Sequence, residues 1–413
     1  VSVREVSEIR ALDAADPLAG FRAHFDLPDG IIYLDGNSLG PLPRGTRERL
    51  RVLVDVEWGR DLIASWNTAG WMKKPVLLGD RIGRLIGAAP GQVVVCDSTS
   101  VNIFKVLAAA LSLRPGRRTI VSEDTNFPTD LYIVDGLRTL VGDIRLELAG
   151  RDRPLDDLLQ SDVAAVLLTE VDFRTGARHD MAKVTRRIHA AGALAVWDLA
   201  HSAGAFEVAL DAAKADFAVG CTYKYLNAGP GGPAYVYCAA RHQEEVRQPL
   251  TGWLGHADPF AFDVAYRPAT GIAQFIAGTP SILALAPLEA SLAVWDEVDV
   301  ARLRAKSVAL TELFIARVDR FAAHYGLTLA SPRAAERRGS QVSLRHPSAF
   351  AIIKAMIAEG VIGDFRAPDI LRFGFTPLTL SYADVATAAE RLETVLASER
   401  WRAFSPARGS EVT

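Results

Sequence analysis

Two residues in this chain combine side-chain type and spacing in a way suited to covalent chemistry on an amine. Asp198 closes the apolar run Leu194–Trp197, and Lys224 follows 26 residues later between Tyr223 and Tyr225. A lysine shielded from water gives up its proton more readily than a free one, so its amine can form a Schiff base. An aspartate facing a pyridine nitrogen keeps that ring protonated and so makes it an electron sink. Together they are what pyridoxal phosphate asks of a protein. His201, three residues beyond Asp198, is placed to cover the ring or to bond to Asp198 or the ring oxygen. The segment Asn227–Gly232 (NAGPGG) follows the lysine and lets backbone approach a ligand closely. Taken singly, each residue has a plainer reading: a strand-flanking lysine, a helix N-cap, a core histidine. Their grouping favours the chemical one.

A phosphate group needs free N–H donors, which a helix N-terminus supplies. The cluster Asp97-Ser98-Thr99-Ser100 sits between a β-rich run and the helical pattern Val101–Leu113, where an N-cap box explains it equally well. Phe127, before Pro128, can stack on a planar cofactor, and Asp130 can accept from nearby hydroxyls. Arg372 stands alone in the apolar segment ILRFGFTPL. A substrate carboxylate is one natural partner for it, a structural salt bridge the other.

Positioning these residues takes strands that end on one edge of a sheet. Val93–Cys96, Thr119–Ser122, Ala164–Val171, Leu194–Leu199, Asp216–Thr222 and Ala234–Cys238 read as strands, several of them apolar throughout, with a helix over Met181–Ala191. Strands apolar on both faces that alternate with helices predict an α/β fold, a mostly parallel sheet covered on both sides. After Pro287 the texture changes to long amphipathic helices over Leu288–Arg320, a charged turn at Ala335–Gly339, and short elements ending in a helix over Tyr382–Leu396. The expected division is an N-terminal segment 1–45 packing with the small domain, a large cofactor-binding domain 46–285 and a small α+β domain 286–413.

The bulk composition narrows the function classes. The 413 residues are 49% hydrophobic and 23% charged, with a formal charge of −3 and no basic block, so neither nucleic acid nor membrane is an expected partner. The apolar stretch Ile282–Trp295 is broken by Pro287 and Glu289 and is too short to span a bilayer. The N-terminal segment reads as a charged helix rather than an apolar leader. Three scattered cysteines (Cys96, Cys221, Cys238) suit a reducing cytoplasm and form neither a disulfide framework nor a metal site.

Read in order, the motifs resemble the kynureninases, pyridoxal-phosphate hydrolases of the aspartate-aminotransferase fold (fold type I). The likeness runs from YLDGNSLGP (Tyr33–Pro41) through Ser100–Asn102, Phe127–Asp130, DLAH (Asp198–His201), YKYLNAG (Tyr223–Gly229), GWLGH (Gly252–His256) and Phe275…Thr279-Pro280. The resemblance implies Lys224 as the Schiff-base lysine, Asp198 as the pyridinium partner and Phe127 stacked on the ring. Thr99, Ser100, Asp130, Thr169, His201 and Tyr223 would line the cofactor, and Trp253 and Thr279 would complete its phosphate side, from a partner subunit if sites are shared in a homodimer. Arg372 would clamp the substrate carboxylate, with Asn37 and Trp66 also at the substrate. Ser100 departs from the threonine frequent in the family, but its hydroxyl still donates. The implied reaction turns L-kynurenine and water into anthranilate and L-alanine. The Trp66/Thr279 pair resembles bacterial members and implies a preference for L-kynurenine over its 3-hydroxy form.

The rivals are other enzymes of the same fold. A desulfurase needs a reactive cysteine on a mobile loop in the C-terminal half, yet the last cysteine, Cys238, sits in a strand-like run. An aminotransferase would consume a keto acid and release no anthranilate. A cofactor-sensing regulator would add a DNA-binding module, for which the early start of the motifs leaves no room.

Overall fold

The runs read as strands assemble into one seven-stranded sheet in the computed structural model, which describes residues 3–404. In chain order its strands are β1 Val93–Val95, β2 Thr119–Glu123, β3 Arg145–Ala149, β4 Val163–Thr169, β5 Leu194–Asp198, β6 Phe217–Gly220 and β7 Tyr235–Cys238. Their spatial order is β1-β7-β6-β5-β4-β2-β3, all parallel except β7, which is antiparallel to both neighbours. Successive side chains feed opposite faces. Val166 and Leu168 join Trp197 in one core, and Leu167 joins Val196 and Val219 in the other. Because β4, β5 and β6 run in the same direction, Thr169, Asp198 and the loop carrying Lys224 all emerge at one edge. That is where open α/β sheets bind ligands.

Helices α1 Thr99–Leu113, α2 Pro128–Val141 and α3 Met181–Ala190 connect and cover these strands. Helix α4 Ile282–Trp295 runs through Pro287, which removes one backbone donor without ending the helix. Its Leu285, Leu288 and Leu292 pack into the large-sheet core, so the chain stays with the large sheet past the change of texture at Pro287. A second core gathers from Leu310 in α5 Val300–Val318. It fills the space between α5, α6 Ala349–Ala358, α7 Tyr382–Ala397 and a four-stranded antiparallel sheet. That sheet comprises β8 Thr328–Leu329, β9 Gln341–Arg345, β10 Asp364–Arg366 and β11 Ile370–Gly374, in the order β8-β9-β11-β10. Ile32 and Leu34 belong to this second core, and Ile32–Tyr33 pairs in parallel with Val361–Ile362. Among the described residues no helix is long and apolar enough to cross a membrane.

Candidate active site

Lys224 lies four residues beyond β6, where the backbone must leave the sheet and turn. Asn227 makes that turn in the left-handed region at φ 58°, its amide donates to the Lys224 carbonyl at 2.9 Å, and its side chain donates to the Pro41 carbonyl at 3.2 Å. The N-terminal GNSLGP loop packs directly behind. Gly40 donates its N–H to the Tyr223 carbonyl at 2.8 Å, and a Cβ at Gly40 would lie 2.2 Å from the Lys224 carbonyl oxygen. Only glycine permits that approach. Two motifs separated by some 180 residues in sequence are thus halves of one support for the lysine. Tyr225, buried beside it, donates to the Ser340 carbonyl at 2.9 Å and ties the loop to the second domain's sheet.

At the tip, Lys224 Nζ lies 3.0 Å from His201 Nε2. Burial, then the charges of Lys224, Arg372 and Arg366, hold the His201 pKa well below its ordinary value, so the ring is neutral. Its Nε2 accepts from the lysine, leaving the proton on Nδ1, which has no partner among the described residues. Asp198 is 3% exposed and accepts from the Ala200 amide at 2.7 Å. Burial raises its pKa, against the pull of Lys224.

Phe127 is the N-cap of α2, held extended by Pro128 at the first helical position. Asp130 falls in the helix's first turn, buried to 1% exposure, with Oδ2 unpartnered. Burial and the nearby Asp198 raise its pKa well above the carboxylate range. Asn126 locks this corner: its Oδ1 accepts from the Phe127 amide at 2.7 Å and from the Thr169 hydroxyl, and its Nδ2 donates to Ser122 Oγ at 2.9 Å. The site therefore holds two buried, unpartnered polar atoms, Asp130 Oδ2 and His201 Nδ1, beside an acid and an amine.

Next to it opens a cavity of about 780 Å³ lined by Ser98, Thr99, Ser100, Tyr223, Gly231 and Thr279, among others. Ser98 caps α1, accepting from the Val101 amide at 3.4 Å, and the first turn of a helix leaves its amides without acceptors inside the helix. The hydroxyls of Thr99 and Ser100, the helix dipole and the glycine-rich loop suit an anion. Tyr223 joins the two parts of the site. Cys221, burial and Asp198 push its phenol upward, so it stays protonated and can donate. A planar, phosphorylated pyridine fits this arrangement: hydroxyls and a helix terminus for the phosphate, Phe127 as a ring neighbour, an acid and two unpartnered polar atoms for the ring's polar groups, and an amine.

Other expected residues fall differently. Arg372 is 1% exposed and already engaged: Nε donates to Asp364 Oδ1 at 2.7 Å, Nη2 to Asp364 Oδ2 and to Ser38 Oγ at 2.6 Å, and Nη1 to the Phe173 carbonyl at 2.8 Å. Phe173 meets Phe127 edge-on with centroids 5.2 Å apart, so Arg372 is linked to the ring site. Asn37 is fully buried and donates to Gln341 Oε1 at 2.9 Å, while its Oδ1 has no partner. Trp66 packs edge-on against Trp71 at 5.6 Å in a small apolar cluster with Leu53 and Ala286, and does not line the cavity. Nor does Trp253, which is 40% exposed and packed edge-on against Phe260 at 5.8 Å.

A family model for the kynureninase C-terminal domain matches residues 303–392. Over 411 residues the chain is 50% identical to a kynureninase of Burkholderia pseudomallei, covering 98% of this chain and 99% of that protein. The chain belongs to the kynureninase family. A kynureninase of Deinococcus radiodurans is 51% identical over 400 residues, 95% of this chain and 96% of its own. Among solved structures, the apo cysteine desulfurase of Thermococcus onnurineus NA1 has a TM-score of 0.77 at 20% identity, covering 92% of this chain and 98% of that one. A C-DES mutant with glycine covalently linked to its PLP cofactor has a TM-score of 0.76 at 16% identity, covering 90% and 98%. At such identities the likeness is one of fold: the pyridoxal-phosphate fold type I, whose architecture kynureninases share with desulfurases. A desulfurase's nucleophile is not evident here. Cys221 and Cys238 are buried, and burial raises the pKa of all three thiols.

Within this kynureninase fold, several site-shaping residues escaped the sequence reading. Asn126 precedes the Phe-Pro turn but carries no motif of its own. Lys105 is fully buried on α1, pairs with Asp97 and donates to the Phe275 carbonyl at 2.6 Å. It holds Asp97 in the left-handed region, at φ 47°, just ahead of the helix N-terminus. A lone lysine inside the apolar helix VNIFKVLAAAL was the available signal. Asp364 and Ser38, the partners of Arg372, carried none beyond their presence in the chain.

Proposed function

We propose that this protein hydrolyses L-kynurenine to anthranilate and L-alanine, with pyridoxal phosphate held at the Lys224 edge of the large sheet. The observation that carries this is the placing of half-buried Lys224 with buried His201, Asp198 and Asp130 at one sheet edge beside a helix N-terminus, in a chain half-identical to kynureninases. Thr99, Ser100, Tyr223 and Thr279 would bind the phosphate; Asp198, His201, Asp130, Thr169 and Phe127 would hold the ring. Bound there, the cofactor supplies the electron sink that breaking a carbon–carbon bond requires.

The chain's own residues do the rest. Lys224 Nζ would take the substrate's Cα proton; neutral His201, 3.0 Å from it, would keep that amine oriented without adding a charge. Asp198 would hold a proton at the ring nitrogen of the bound cofactor. Tyr223, protonated through the working pH range, donates its phenolic proton in the later transfers. Arg372 orients the substrate through its carboxylate, and Phe173 ties that guanidinium to the ring's Phe127. Water attacks the aryl ketone, whose departing acyl carbon becomes the carboxylate of anthranilate.

The finer reading is a hydrolase of ketonic carbon–carbon bonds in cytoplasmic tryptophan catabolism, as a homodimer with shared sites, the chain dividing beyond α4 rather than near the expected residue 285. Exposed Trp253, Phe260 and Phe262 support a subunit contact, which would let Trp253 serve a partner's site. The test is kcat/KM for L-kynurenine against 3-hydroxy-L-kynurenine on the purified holoenzyme, with products identified. A higher value for L-kynurenine is expected; a higher one for the 3-hydroxy compound overturns the preference, and a keto-acid requirement without anthranilate overturns the reaction.

A further inference from the structure

A second cluster of charge, part buried and part half-buried, surrounds Arg372. Asp364 and Arg372 face each other across the antiparallel pair β10–β11, and Asp364 also pairs with Arg366 at 2.6 Å. Ser38 Oγ sits among them, donating to Asp364 Oδ2 at 3.0 Å and accepting from Arg372. Asp35 completes the group. Its Oδ1 lies 3.9 Å from Arg372 Nη2 and is buried without a hydrogen-bond partner. The groups facing Asp35 are Tyr33 and Ser38 on its own segment, Asp364 and Arg366 on β10, Arg372 on β11, and Tyr225 beyond β6. Four of Arg372's five N–H groups are engaged, and one on Nη1 has no partner among the described residues.

The two aspartates and two arginines balance when all are ionised. An arriving carboxylate would leave one negative charge in excess at a site where an uncompensated charge is costly. We infer that Asp35 takes up one proton when a carboxylate docks on Arg372, so that the substrate end of the site stays neutral, with Asp364 positioning the guanidinium throughout. This rests on Arg372 being the carboxylate clamp. Burial and then the Asp364 charge already push the Asp35 carboxyl up to about 7, against Arg372, Ser38 and Arg366, so the proton is available near neutral pH. The fold adds a second acid, its Oδ1 buried, where a single ion pair would have sufficed, and binding strength thereby becomes a function of pH.

The probe is 4-oxo-4-phenylbutanoate, which keeps the substrate's carboxylate and aryl ketone but has no amine to react. Its competitive Ki against L-kynurenine on the holoenzyme should weaken as pH rises from 7 to 9, approaching about tenfold per unit for one linked proton. In Asp35→Asn the Ki should be flat over that range and close to the wild-type low-pH value. Calorimetry of the wild type in two buffers of different ionisation enthalpy should show uptake of close to one proton at pH 8, which keeps the test alive if the variant does not fold. No proton uptake, or an unchanged slope in Asp35→Asn, overturns the inference. If Arg372→Ala binds the probe as the wild type does, the clamp reading itself falls; weakened binding in Arg372→Ala with an unaltered slope in Asp35→Asn sinks only the proton.

Discussion

Asp198 and Asp216 are both buried aspartates at the ends of central strands, and they are built in opposite ways. Asp216 precedes β6 at the edge away from Lys224 and is saturated: His189 and His242 lie at 2.7 Å, Arg241 at 2.7 Å, and the Ala195 amide donates at 2.7 Å. Despite burial, the hydrogen bonds of His189 and His242 and that amide hold its pKa far below the ordinary carboxylate value. Asp198, at the other edge, has one backbone donor at 2.7 Å, and burial raises its pKa. Neighbouring Asp130 has an oxygen with no partner. One edge spends its polar groups on the fold, and the other holds them open for a ligand.

The comparison can be broken by exchanging effects between the edges. Lys224→Ala should lower kcat by about 10⁴-fold or more while leaving the thermal midpoint nearly unchanged, since the lysine's bonds serve the site. Asp198→Asn should cost about 10² to 10³ in kcat, in the range of a lost electrostatic contact to the reacting system, without destabilising the apo fold. Circular dichroism melts alongside the anthranilate assay would separate rate from stability. A large loss of stability in either variant would place these residues with Asp216.

The reverse holds at the far edge. Asp216→Asn should destabilise by about 1 to 3 kcal/mol, because an amide cannot accept from all of the donors that the buried carboxylate takes from His189, His242, Arg241 and the Ala195 amide, yet keep KM and nearly all of kcat per folded molecule. Denaturant titration measures the first and active-site-normalised kinetics the second.

The smallest effect is in pH. Asp216 has a depressed folded pKa, so its stabilisation is complete above the unfolded carboxylate value and fades as pH falls through the folded one. Asp198, with a raised pKa, contributes the opposite slope: its share is greatest at low pH and is lost as pH rises through its folded value. Asp216→Asn should therefore flatten the acid limb of the stability profile, whereas Asp198→Asn should leave that limb steep. Equal slopes would erase the distinction between the edges.

Much of the architecture was legible from local pattern. Six strand-like runs reappear as sheet strands because strands apolar on both faces must be buried on both; Arg145–Ala149, half-exposed at the sheet margin, has no such run to betray it. The Asp198–Lys224 pairing was legible because both follow strands that end at the same edge. What stayed hidden was pairing between distant segments. Nothing in Gly40 announces that it packs on the Lys224 carbonyl, and nothing in Arg372 chooses between a substrate and Asp364. The β10–β11 register sets Asp364 opposite it, and one N–H on Nη1 is left over for a carboxylate. Trp66 and Trp253 show the same boundary from the other side: their motifs are family-like, but in a single chain one packs on Trp71 and the other lies on the surface.

The most direct test is to add L-kynurenine to the purified, pyridoxal-phosphate-loaded protein and follow anthranilate fluorescence together with L-alanine release, in parallel with Lys224→Ala. The account predicts the two products in equal amounts from the wild type and no turnover from the variant. Wild type without anthranilate, or a variant that turns over at a comparable rate, would contradict it.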